Sequence, residues 1–175
     1  MIFEPTEIPG CVVVRPERHR DDRGHFARTW DGAVFADLGL TSSIAQCSTS
    51  FNRARGTLRG MHLQDGPHQE AKLVRCTRGA VWDVCLDLRP DSPTRRRWHG
   101  ETLTEENGVA LFVPEGCAHG FLTLEDASEV FYMISAPYAP SAGRGVRYDD
   151  PAFGIEWPGE VQVVHPRDAG YPLVE

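Results

Sequence analysis

Residues 80–88, AVWDVCLDL, alternate without a break. Ala80, Trp82, Val84, Leu86 and Leu88 share one face, and Val81, Asp83, Cys85 and Asp87 share the other. A period of two predicts a β-strand with one apolar and one mixed face. KLVRC (72–76) reads as a strand before it, with TRG (77–79) as the hairpin turn between the two. VALFVPEG (109–116) reads as a strand ending in a Pro-Glu-Gly turn. HGFLTL (119–124) and EVFYMIS (129–135) read as two more, joined by EDAS. Only DGAVFADLG (31–39) has a helical pattern, with Gly39 as its stop. DDPAFGIEWPGE (149–160) reads as a loop anchored by its tryptophan.

Glycine and proline recur along the whole chain at the rhythm of short strands and turns, and no linker, repeat or low-complexity tract interrupts it. The expectation is one all-β domain over 1–175, a jelly-roll barrel with short flanking helices. Small barrels can enclose a ligand, with pocket residues at every second position of a strand.

Composition narrows the function. The 175 residues are 41% hydrophobic and 25% charged, with a formal net charge of −7. A protein that coats nucleic acid or an anionic membrane needs a basic footprint, so both partner classes are set aside. A small anionic ligand remains compatible, because a local arginine cluster can oppose the global sign. The five cysteines are odd in number and lack CxxC spacing, which favours reduced thiols over a disulfide framework. With no signal-peptide or membrane-span pattern, the expected location is the cytoplasm.

The candidate chemistry starts at GTLRGMHLQ (56–64), where a cation, a glycine and an imidazole crowd one short strand. An isolated histidine is usually structural. As a general base, His62 needs a carboxylate on its second ring nitrogen, and Asp83, Asp87 and Asp168 are the candidates. Arg59 and Lys72 read either as solvated surface charge or as an anion clamp and a cation for a developing oxyanion. Arg23, in DDRGHF, could join that clamp. Tyr132 shares a face with Val130 and Ile134, and reads as a core aromatic or as a phenolic acid. His119 follows a tight turn. A metal site is not expected: no H-x-H pair occurs, and the run holding His62, His68 and Glu70 is broken by Pro67.

LRGMH, AKLVRCTRGAVWDVCLDLRPDSPT, VPEGCAHGF and DDPAFGIEWP, in this order, resemble the dTDP-4-dehydrorhamnose 3,5-epimerase family. DDRGHF and RDAGYP fit the same frame, so the likeness covers roughly the whole chain. It implies a cupin-like jelly roll, a homodimer, no metal and no cofactor. It also implies inversion at carbons beside the C4 ketone of a nucleotide-diphospho-4-keto-6-deoxy sugar. By resemblance His62 is the base, Asp168 its orienting carboxylate, Tyr132 the acid on the opposite face and Lys72 the cation at the enolate oxygen. Arg59 and Arg23 match diphosphate contacts, Arg23 from the partner subunit. Phe26, Arg28, Gln46, His119 and Tyr138 match further substrate contacts.

The chain departs from that pattern at the ligand's periphery. Arg28 stands where a glutamate is usual, and an arginine can only donate where a carboxylate accepts. This leaves the base open between thymidine and an acceptor-rich base such as cytidine. Gln46-Cys47-Ser48 replaces Gln-x-Asn, with one extra residue before the next glycine, and SAGRGV (141–146) replaces a common glutamate. The reading is retained chemistry with an altered substrate. The competing readings are a nucleotide-sugar 3,4-ketoisomerase, a non-catalytic nucleotide-sugar-binding barrel and a metal-dependent cupin oxygenase.

Overall fold

The structure, a computed structural model, describes residues 1–174. Its elements in chain order are β1 (Ile2–Pro5), β2 (Val12–Arg15), β3 (His19–Asp21), β4 (Gly24–Phe26), α1 (Gly32–Asp37), β5 (Gln46–Asn52), β6 (Thr57–Gln64), β7 (Lys72–Arg78), β8 (Ala80–Asp87), β9 (Trp98–Thr104), β10 (Ala110–Val113), β11 (Cys117–Thr123), β12 (Ser128–Ile134), β13 (Gly143–Gly145), β14 (Val163–Val164) and α2 (Pro166–Ala169). One sheet runs β1-β2-β10-β7-β12-β5 and the facing sheet β13-β6-β11-β8-β9, with β14 added parallel to β6. β3 and β4 form a separate two-stranded arm. Two facing antiparallel sheets of this kind make the expected jelly-roll barrel. Among the described residues no helix is long and apolar enough to cross a membrane.

The hairpin expected at 77–79 does not form. β7 pairs with β10 and β12, whereas β8 pairs with β11 and β9 in the opposite sheet. The chain therefore changes sheets at Gly79. Its φ of +72° suits glycine, and a Cβ there would lie 2.7 Å from Ser128 Oγ. Tight turn chemistry is shared by hairpins and crossovers. Which one forms is decided by the distant strands that compete for pairing.

Both faces of β8 are covered. Val81 and Cys85, from the mixed face, enter the inter-sheet core with Val74, Leu111, Phe121 and Val130. Val84 and Leu86, from the apolar face, pack beneath Phe153, Trp98 and Trp157. The loop at 149–160 is thus the outer lid of this sheet, and Trp157 Nε1 anchors it by donating to Tyr148 O at 2.9 Å. On the other sheet, α1 seals the outside. Asp31 caps it by accepting from Ala33 N, and Gly39, with φ +71°, follows its end. The helix sinks Phe35 onto Val12, Val14, Leu73 and Phe112. Burying one such ring contributes about 2–3 kcal/mol.

Candidate active site

The apolar core fills only part of the barrel interior. The remainder is a cavity of about 710 Å³, a size that suits a small-molecule ligand. One wall comes from β5, β7 and β12, through Gln46, Ser48, Ser50, Lys72, Tyr132 and Ile134. The opposite wall comes from β6 and β11, through Arg59, His62, His119 and Phe121, and the segment 163–168 closes the side.

Arg59 and His62 both line the cavity although they stand three residues apart, an offset that a regular strand would send to opposite faces. The pairing of β6 with β11 supplies the correction. His119 pairs with His62 and Phe121 with Arg59, with a register shift between them. Such an irregularity re-aims side chains. It works here because Gly60 and Gly120 meet back to back: a Cβ on Gly60 would lie 2.6 Å from Gly120 Cα. The crowding of cation, glycine and imidazole in GTLRGMHLQ thus has a structural cause, since the glycine lets both flanking side chains face one cavity.

His62 has its carboxylate. Its Nε2 lies 2.8 Å from Asp168 Oδ1, and Asp168 Oδ2 accepts from Gly60 N at 3.3 Å. A carboxylate only accepts, so Nε2 carries the proton and Nδ1 is the basic nitrogen. Burial lowers the His62 pKa, the Asp168 hydrogen bond and charge oppose that, and the charges of Arg167 and Lys72 reinforce it. The imidazole is therefore neutral at pH 7, as a base must be. Burial works against ionised Asp168, but hydrogen bonds from His62, Arg167 and Gly60 hold its pKa below the usual carboxylate range. α2 presents this group. Pro166 opens the helix, His165 caps it through Nδ1, and Asp168 is its buried residue.

The other candidate carboxylates serve elsewhere. Asp83 Oδ1 holds His119 Nε2 at 2.8 Å, both of them buried. Asp87 accepts from Arg89, Ser92 and Thr94. Tyr132 stands on the wall opposite His62, with its ring edge-on to His119 at 5.9 Å and 84°. Burial, then the Asp83 charge, pushes its phenol pKa well above the ordinary range, so it remains a proton donor. Lys72 Nζ pairs with Glu70 at 2.9 Å and reaches His62 O at 3.4 Å. Arg59 Nε donates to the amide oxygen of Asn52 at 2.8 Å. Gln46 accepts from Tyr138 N at 3.1 Å, which ties the cavity wall to the exposed Tyr138 at its mouth. Among the described residues, no three His, Cys, Asp or Glu side chains converge as a metal site.

Three sequence candidates lie outside this cavity. Arg23, with 89% of its side chain exposed, is bound to Asp21 on the β3–β4 arm. Phe26 is 70% exposed on the same arm. Arg28 pairs with Asp31 at 2.6 Å. The sequence reading weighed Glu70 only as a metal ligand, and missed Arg167 and the pairing of Asp83 with His119. Adjacency to Asp168 was the available signal for Arg167, and a spacing of two from Lys72 was the signal for Glu70.

The family description "dTDP-4-dehydrorhamnose 3,5-epimerase" matches residues 5–175. The chain is 40% identical to the dTDP-4-dehydrorhamnose 3,5-epimerase of Sinorhizobium fredii, over 98% of this chain and 89% of that protein. The crystal structure of the Bacillus anthracis dTDP-4-dehydrorhamnose 3,5-epimerase, with TDP and PPi bound, superposes with a TM-score of 0.94 at 35% identity, covering 99% of both chains. A 3'-monoepimerase from Streptomyces bikiniensis, in complex with dTDP-quinovose, gives 0.90 at 32% identity, covering 97% of this chain and 86% of that one. The chain belongs to the dTDP-4-dehydrorhamnose 3,5-epimerase family.

Proposed function

We propose that this protein is an epimerase acting on a nucleotide-diphospho-4-keto-6-deoxy sugar at C3, C5 or both, in deoxysugar biosynthesis. The observation that carries the reading is the opposition of two groups across one cavity. The His62–Asp168 dyad stands on one wall and the protonated Tyr132 phenol on the other.

A ketone acidifies its neighbouring C–H bonds because the resulting carbanion delocalises onto oxygen. His62 Nδ1 takes the proton from one face of the sugar. The enolate oxygen is met by the Lys72 ammonium, and Tyr132 returns a proton to the opposite face, inverting the centre. Only protons move, so the chemistry calls for no cofactor. Arg59 is proposed to bind the diphosphate. We take the nucleotide to be thymidine diphosphate, supported by the bound TDP of the Bacillus relative. Arg28, which opened the question of the base, is engaged by Asp31 outside this chain's own cavity. Thermal-shift titration with dTDP, CDP, UDP and GDP checks this, since the ligand of the folded state raises Tm; a larger rise with CDP would overturn it.

The exposed arm carrying Arg23 and Phe26 supports a homodimer in which each arm reaches the other copy's cavity. A sedimentation mass of one chain would refute that. The unbridged state of all five cysteines supports a cytoplasmic location. The function itself is tested by incubating dTDP-4-keto-6-deoxyglucose in D₂O. Wild type is expected to wash deuterium into the positions flanking the ketone and yield an inverted product with the carbonyl still at C4, whereas His62→Ala abolishes the exchange. Exchange at the wild-type rate in His62→Ala would falsify the assignment of the base.

A further inference from the structure

α2 brings a cation against the dyad. Arg167 Nε donates to Asp168 Oδ1 at 3.0 Å, and its Nη2 stands 3.1 Å from His62 Nε2. Nε2 already aims its proton at that same oxygen from 2.8 Å. Imidazole and guanidinium thus converge as two donors on one carboxylate oxygen, and the close nitrogen–nitrogen approach follows from their sharing it.

We propose, building on the epimerase reading, that Arg167 is a positioning residue that clamps Asp168 against His62 and whose charge keeps the imidazole in its neutral, proton-accepting form. The clamp follows from the distances. The charge effect follows from what protonation would do. An imidazolium would set a second full positive charge beside the guanidinium, with one carboxylate between them.

No other group around His62 both clamps Asp168 and adds its charge. Lys72, from β7, touches the His62 carbonyl and pairs with Glu70, and its charge lowers the His62 pKa less than that of Arg167 does. His119 stands in register on β11 and is held by Asp83. Beyond α2 the Tyr171 ring lies edge-on at 6.5 Å. From β13, uncharged Gly145 faces His62, and its neighbour Arg144 is engaged by Asp65. The direction of the His62 pKa agrees: burial lowers it most, and the charge of Arg167 adds to the lowering. The Arg167 side chain is 58% exposed, so its replacement leaves the core intact.

The test reads the ring itself. The His62 imidazole is titrated by NMR in ligand-free wild type, Arg167→Met and Arg167→Lys, alongside pH profiles of kcat/KM for deuterium exchange. In Arg167→Met, His62 is expected to take up its proton at higher pH. At a given pH on the acid side its protonated-to-neutral ratio should rise by about threefold to tenfold. The acid limb of kcat/KM should move with it, while Arg167→Lys stays near wild type. An unmoved ring titration in Arg167→Met overturns the proposal, including the case where activity drops equally at every pH. If the ring titration moves but wild type exchanges no deuterium, the role of Arg167 at the dyad stands and the epimerase reading falls.

Discussion

Replacing Asp168 by Asn isolates the carboxylate's charge from its shape. Asp168 is 2% exposed and receives His62 Nε2–H at 2.8 Å, Arg167 Nε–H at 3.0 Å and Gly60 N–H at 3.3 Å. An amide keeps the volume and one acceptor but turns the other oxygen into a donor. Two consequences compound. The imidazolium formed when His62 takes a substrate proton loses its counter-charge. Unit charges about 4 Å apart interact by about 1 kcal/mol in water and about 4 kcal/mol at the effective dielectric of a partly buried site. His62 retains 31% side-chain exposure, so about 2–4 kcal/mol is the appropriate range. The amide N–H can also face Nε2, which drives the proton to Nδ1 and removes the lone pair that should attack the sugar.

Together these set an expected fall in kcat of about 10²- to 10⁴-fold for Asp168→Asn, with KM little changed because the carboxylate faces the imidazole rather than the diphosphate. The assay is deuterium wash-in beside the ketone, followed by NMR at several substrate concentrations. The imidazole nitrogen shifts report the tautomer in the same sample. Retention of more than about a tenth of wild-type exchange, with the proton still on Nε2, would show that the dyad is not the base and refute the reasoning from its geometry.

Further outcomes follow from other parts of the barrel. In Tyr132→Phe, exchange should survive while inversion falls by about 10²-fold or more. In wild type the buried phenol stays protonated, so inversion should show no phenol-linked decline between about pH 8 and about pH 10; a midpoint near 10 would contradict its burial. At the loop 89–97, Asp87 is fully buried and accepts from Arg89 N, Nε and Nη2 at 3.0, 2.9 and 2.8 Å and from Thr94 Oγ1 at 2.7 Å. Burial opposes its charge, but these donors hold its pKa far below the usual range. Asp87→Asn should cost about 3–5 kcal/mol, a Tm lower by about 6–20 °C at neutral pH. Because the folded-state pKa is depressed, that stability is fully present above the unfolded value near ~4 and fades as pH falls toward the folded one. The Tm gap should therefore narrow below about pH 4. A gap that widens in acid would show the sign to be wrong.

What the sequence discloses depends on whether the interaction is local. The alternation of 80–88 is local, and β8 (Ala80–Asp87) appears with the faces assigned. The N-cap and stop of α1 are local too, and the helix forms inside the expected bounds. β5 escaped notice because it is an edge strand. Its cavity face holds Gln46, Ser48 and Ser50, and its outer face carries exposed Cys47 and Thr49, so no apolar rhythm marks it. By spacing alone Asp83, Asp87 and Asp168 were equivalent as partners for His62, and only the family resemblance named Asp168. The choice depends on cross-strand register, which sets His119 opposite His62 and carries Asp83 to His119. Arg23 was read as a contact from the partner subunit, and in one chain neither it nor Phe26 lines the cavity.

The pairing pattern inside the cavity explains how an acidic protein can recognise an anion. His62 is matched by Asp168, His119 by Asp83 and Lys72 by Glu70, each at 2.8 or 2.9 Å. Arg167 shares the Asp168 carboxylate. Arg59 is different, because its guanidinium is oriented by the neutral amide of Asn52 and so presents its full charge to the cavity. A paired group is poised for chemistry: its partner fixes its orientation and tunes its proton affinity while cancelling much of its pull on a distant anion. An arginine held by an amide suits a diphosphate, because it keeps both its fork geometry and its charge. The division follows from β6, where the Gly60 irregularity turns Arg59 and His62 into one cavity while Asn52 and Asp168 reach them from separate segments. Binding and proton transfer can then be adjusted independently, so substitutions around the ligand such as Ser48 can alter the substrate without disturbing the dyad.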